Sequence, residues 1–181
     1  MKNSVLTKHS LSVKRKTVLT LAFVALSVAL PWIFHALGHV LNIGTSVGEI
    51  FLPMHIFVMV AGFVLGPVWG GGVGIASVTL SFMITNMPTA VMLPFIAVEL
   101  CAYGIFAGVI RNMRFNSVLK VAAVQIFGRL VKAAVIIVAI NFFASPVQAK
   151  IIYTSIVTGL PGIALQLLAV PFIVKKINES K

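Results

Sequence analysis

Acidic side chains are almost missing from this sequence. Its 181 residues include three, Glu49, Glu99 and Glu179, and no aspartate. Charged residues of both signs make up 9 %, against about 25 % in an ordinary soluble domain. From Thr17 to Ile110 the acids and bases other than histidine number two, Glu49 and Glu99. Such a chain cannot coat a water-soluble core. Three scattered carboxylates also exclude an acidic cluster that would hold Mg²⁺ for phosphotransfer. The single cysteine, Cys101, excludes an internal disulfide and any multi-cysteine metal site. No G-x-x-x-x-G-K-[S/T], H-E-x-x-H or G-x-S-x-G is present, so the corresponding ATPase, metalloprotease and hydrolase chemistries have no carrier here. The expectation is a protein that is not an enzyme, with no catalytic residue, no metal ligand set and no cofactor.

What the chain has instead is apolar length. Hydrophobic residues make up 60 % of it and the mean hydropathy is +1.11. A membrane helix needs about 20 largely apolar residues. Six stretches are candidates: 17–41, 52–66, 69–86, 90–110, 118–143 and 149–174. The first is too long for the apolar core of a secretory signal and lacks a cleavage pattern, so it reads as a retained span. The stretch Gly66 to Gly74 (GPVWGGGVG) reads as a tight turn between the second and third spans. The fold class is therefore all-α, a polytopic membrane protein of six transmembrane helices. Residues 1–16 form a basic arm, 17–175 the membrane domain and 176–181 a tail.

The net charge of +11 is distributed as membrane topology. Lys2, Lys8, Lys14, Arg15 and Lys16 precede the first span, Arg111, Arg114 and Lys120 separate the fourth and fifth, and Lys175, Lys176 and Lys181 follow the last. Basic clusters mark cytoplasmic ends, and all three agree with cytoplasmic N- and C-termini. There is no basic groove with interleaved aromatics, so nucleic acid is not an expected partner; the lipid bilayer is.

Ionisable residues inside a membrane are costly and point to function. Counted at about 1.5 Å per residue from the outer ends of their spans, Glu99 lies about 13 Å deep, Lys132 about 16 Å and Arg129 about 21 Å. One reading is a structural ion pair joining the fourth span to the fifth. The other is that one carboxylate cannot balance two cations, so the spare charge faces an anionic substrate. His35 and His39, four residues apart, share a face near the outer end of the first span, and His55 opens the second. They are either packing histidines or ligands to a metal or haem. Met54 and Met87 lie near outer ends and can line an adaptable apolar pocket. Glu49, Asn86 and Asn141 add polar groups at the same side. Pro31, Pro94 and Pro161 suggest kinks. Ala25 and Ala29, with Ala22, allow close approach of another helix.

The order Ala25-x-x-x-Ala29, Leu52-Pro-Met-His-Ile56, Ala61-Gly-Phe-Val-Leu-Gly-Pro67, Asn86-Met-Pro88 and Glu99-Leu-Cys-Ala-Tyr-Gly104 resembles the substrate-binding S components of energy-coupling factor (ECF) vitamin transporters. The resemblance covers about residues 17–175. It implies capture of a micronutrient on the outer half, under a lid formed by the first outer connection. It also implies docking through Ala22, Ala25 and Ala29 on a membrane coupling subunit driven by two separate ATPases. Site residues under this reading are His35, His39, Glu49, Met54, His55, Asn86, Met87, Glu99, Arg129, Lys132 and Asn141. The substrate stays open between a pantothenate-like carboxylate, a corrinoid or its precursor, and haem. A membrane scaffold and a solitary ion-coupled carrier are the competing readings.

Overall fold

The computed structural model describes residues 12–40, 50–51 and 53–179. Within them lie seven helices and no strand: α1 (Val13–Val40), α2 (Pro53–Leu65), α3 (Pro67–Thr85), α4 (Leu93–Ile110), α5 (Ser117–Phe143), α6 (Lys150–Thr158) and α7 (Leu160–Glu179). The chain is all-α, as composition and apolar length predict. Five of these helices, α1, α3, α4, α5 and α7, are long and apolar enough to cross a membrane. At 13 residues, α2 extends only about 20 Å, short of the roughly 30 Å hydrocarbon thickness.

That short helix is nonetheless the centre of the molecule. Ten of its residues are buried, with Val58, Met59, Val60 and Ala61 fully so. It packs against α1, α3, α4 and α7. A helix apolar on every side has no solvent face to offer and is stable only when enclosed. The outer helices show the reverse pattern. Leu21, Leu130, Phe142, Leu168 and Phe172 stand exposed on them, a distribution that water would penalise and lipid tails would not.

Glycine sets how closely α2, α3 and α4 approach. A Cβ on Gly104 would overlap the Gly70 carbonyl, one on Gly70 would meet the Gly62 backbone, and one on Gly108 would overlap Pro67. The three helices thus touch backbone to backbone. Here the GPVWGGGVG stretch differs from expectation. The turn is confined to Gly66, whose φ of +103° requires glycine, and Pro67 starts α3 at once. Gly70, Gly71, Gly72 and Gly74 are helical. Their intrinsic cost of about 1 kcal/mol each is offset by the packing they permit.

The prolines behave individually. Pro31 lies inside a continuous α1, while Pro94 sits in the first turn of α4, where no amide partner is lost. Pro161 does break the last expected span. It has no N–H to offer the Val157 carbonyl, and the chain divides at Gly159 into α6 and α7. Gly162, just beyond, lies against the Ile50 and Phe51 backbone, which holds α7 to the chain entering α2. The break leaves α6 loosely seated beside α5.

Candidate functional site

The loosely packed corner forms a half-open cavity of about 450 Å³ between α5, α6 and α7. Gln125, Arg129, Lys132 and Ile136 of α5, Ser155 of α6 and Ile163 of α7 are among the residues that wall it. Most of the lining is aliphatic. The polar groups come chiefly from one face of α5, because 125, 129 and 132 follow the four- and three-residue steps that align side chains on a helix.

Beneath this wall is a buried ionic cluster. Glu99 of α4 is 2 % exposed, and its Oε2 lies 2.8 Å from Lys132 Nζ. Tyr103, one turn along α4, donates its hydroxyl to Glu99 Oε1 at 3.1 Å. His55 Nε2 of α2 stands 4.0 Å from Glu99 Oε2, with its ring edge-on to Tyr103 at 5.2 Å. Three helices are thereby tied at one carboxylate. Gly128 makes room for the arrangement, since a Cβ there would overlap the Tyr103 ring.

The two cations of α5 are not equivalent. Lys132 is spent on Glu99. Arg129 donates from Nη1 to the Ser155 carbonyl at a long 3.4 Å, and its buried Nε has no hydrogen-bond partner. No carboxylate of the described residues lies within ion-pair distance of it. A guanidinium with five donors in a planar fork suits a carboxylate, and this one borders the cavity. Second-turn support comes from Gln125, which donates to the Ile163 carbonyl at 3.4 Å and to Gln166 Oε1 at 3.2 Å, linking α5 to α7.

Of the residues singled out from sequence, His55, Glu99, Arg129 and Lys132 converge. Met54 is half-buried against the apolar core. Asn86 ends α3 in the left-handed conformation and Met87 follows through a cis bond to Pro88, both in the connection to α4. Asn141 is exposed and turns its amide back to its own helix, onto the Ile137 carbonyl at 2.8 Å. Glu49 and the side chains of His35 and His39 lie outside the described residues. Ala22, Ala25 and Ala29 are exposed along one face of α1, opposite the buried Phe23, Val24, Ser27 and Val28. Among the described residues no three of histidine, cysteine, aspartate or glutamate come together as metal ligands.

Sequence reasoning did not single out Tyr103, Gln125, Gly128, Ser155 or Gln166. Two carried a usable signal: Tyr103 follows Glu99 by four residues and Gln125 precedes Arg129 by four, so each shares its neighbour's helix face. Ser155 and Gln166 reach the site only through the folding of α6 and α7 over α5, which no local spacing encodes.

Comparison with known proteins gives no match among curated proteins or solved structures. A family model does match, that of the ECF transporter substrate-specific component, over residues 19–174. The span takes in the α1 alanine face, the ionic cluster and every wall of the cavity. This chain belongs to the ECF transporter substrate-specific component family, and is thus a multi-pass protein of the prokaryotic cell membrane that serves transport as a substrate-binding subunit.

Proposed function

We propose that this chain captures a small carboxylate-bearing micronutrient in the α5–α6–α7 cavity and hands it inward after docking on a separate coupling subunit and two ATPases. The observation that carries the reading is Arg129, a cation with no carboxylate partner among the described residues, in the wall of a molecule-sized cavity. Its volume falls at the lower end of the roughly 300–1,000 Å³ usual for small-molecule sites. That size and the arginine favour a pantothenate-like acid over haem or a corrinoid, whose rigid macrocycles ask for more room.

The membrane arrangement that fits is six passes, with α2 as the second and α6 plus α7 together as the sixth. Both termini are then cytoplasmic. The Arg111 guanidinium lies over Gly66, and Lys120 Nζ donates to the Arg111 carbonyl at 2.9 Å. The α2–α3 turn and the basic α4–α5 connection therefore share one end of the bundle, as that topology requires.

Docking is assigned to the exposed face of α1. Small side chains let a partner helix approach closely in lipid, and bulky ones would hold it off. The double variant Ala25→Trp, Ala29→Trp is expected to bring uptake in whole cells to background and to remove co-purification of the coupling subunit. Native mass spectrometry is expected to find the same small molecule on variant and wild type. Uptake at the wild-type rate would overturn the docking assignment, and a wild-type chain that never co-purifies with a coupling subunit would overturn the importer reading.

A further inference from the structure

The cavity wall holds a second polar point besides the guanidinium. Gln125 must turn its Nε2 toward Ile163, because a backbone carbonyl only accepts hydrogen bonds. The same Nε2 meets Gln166 Oε1. Among the described residues no donor reaches the amide oxygen of Gln125, which belongs to a residue that borders the cavity. It is an acceptor waiting for a donor. Arg129 stands one turn further along α5, about 6 Å along the axis.

The charges can be counted as well. Glu99 and Lys132 cancel at 2.8 Å, and the other ionisable neighbours of that carboxylate are the imidazole of His55 and the phenol of Tyr103. Lys132 and Arg129 against the one carboxylate leave, besides the imidazole, one net positive charge at the wall. The rest of the lining, Ala122, Ile126, Ile136 and Ile156 among it, offers aliphatic contact alone.

We propose that the cavity selects a monoanion by two-point recognition, with a carboxylate on Arg129 and an N–H or O–H donor, one helical turn away, on the Gln125 amide oxygen. This rests on the reading of the cavity as the capture site. A plain fatty acid shares the carboxylate but has no donor, and leaves the amide oxygen unanswered.

Three probes of matched size separate these terms on the purified full-length chain in nanodiscs: N-propionyl-β-alanine, its methyl ester, and heptanoate. Titration calorimetry is expected to show the N-acyl acid binding about fivefold more tightly than heptanoate, the usual worth of one hydrogen bond. The ester is expected to bind at least about tenfold more weakly than its acid, as loss of a charge-assisted contact implies. Gln125→Leu is expected to bring the N-acyl acid down to the level at which the same variant binds heptanoate. Arg129→Gln is expected to remove the preference for acid over ester, and Arg129→Lys to keep it.

Equal binding of acid and ester overturns the proposal, as does heptanoate binding as well as the N-acyl acid, which would make the cavity a site for lipid-like acids. No binding of the N-acyl acid overturns it too. The importer reading is scored separately by co-purification with the coupling subunit, so either can fail while the other stands.

Discussion

Lys132→Met is expected to cost about 3–5 kcal/mol of stability, the usual penalty when one partner of a buried ion pair is removed. Glu99 is 2 % exposed and the substitution removes the ammonium 2.8 Å from it. Only the Tyr103 hydroxyl and the more distant His55 would then face the carboxylate. Glu99→Gln is expected to be harmful for the opposite reason, since it leaves the Lys132 ammonium without its carboxylate, next to the second cation of α5, Arg129. The double variant Glu99→Gln, Lys132→Met removes both charges and is expected to recover most of the loss, because a glutamine can still accept from Tyr103. Arg129→Gln is expected to cost much less than Lys132→Met, because no carboxylate of the described residues lies within ion-pair distance of it. Thermal scans of the detergent-purified variants by fluorescence-detected size-exclusion chromatography order the four. Equal destabilisation by Arg129→Gln and Lys132→Met would show that both cations serve the fold, and the guanidinium would no longer be spare.

The contrast between those two cations was half legible from the chain. Helix depth alone placed Glu99 nearer to Lys132 than to Arg129, and the structure pairs Glu99 with Lys132. Depth is readable because the rise of a helix is constant. What depth does not contain is azimuth, the direction in which each residue points around its helix. That is why Tyr103 and Gln125, both on the right faces, were passed over, and why Asn141, at a suitable height, proves to be exposed and turned to its own backbone. The apolar runs located the helices well because lipid exposure and burial both demand them. Apolarity gave no warning, however, that the last run divides at Gly159, since Pro161 interrupts the hydrogen bonding and not the hydropathy. The cavity exists because of that division, so the most informative feature of the site was the least visible.

The backbone contact between the glycines of α3 and α4 leads to the other large effect. Gly104→Ala is expected to abolish folded protein or reduce it to a small fraction. The added methyl would overlap the carbonyl of Gly70, and that obstacle is backbone inside α3, with no rotamer to yield. Overpacking a core costs about 1–3 kcal/mol when side chains can adjust. Here α3 and α4 must separate as rigid rods, which also opens the contact of Gly71 with Ile105 and of Gly74 with Leu100. Gly72→Ala, in the α3 glycine run that Gly104 packs against, supplies the control. Nothing lies within 4 Å of a Cβ at that position, and alanine is the better helix former by about 1 kcal/mol, so this variant is expected to match or exceed the wild type. The comparison isolates packing from propensity, because the chemical change is the same methyl in both helices. If both variants behaved alike, the close backbone contact of α3 and α4 would not be what holds Glu99 at its depth, and the ionic cluster above it would need another support.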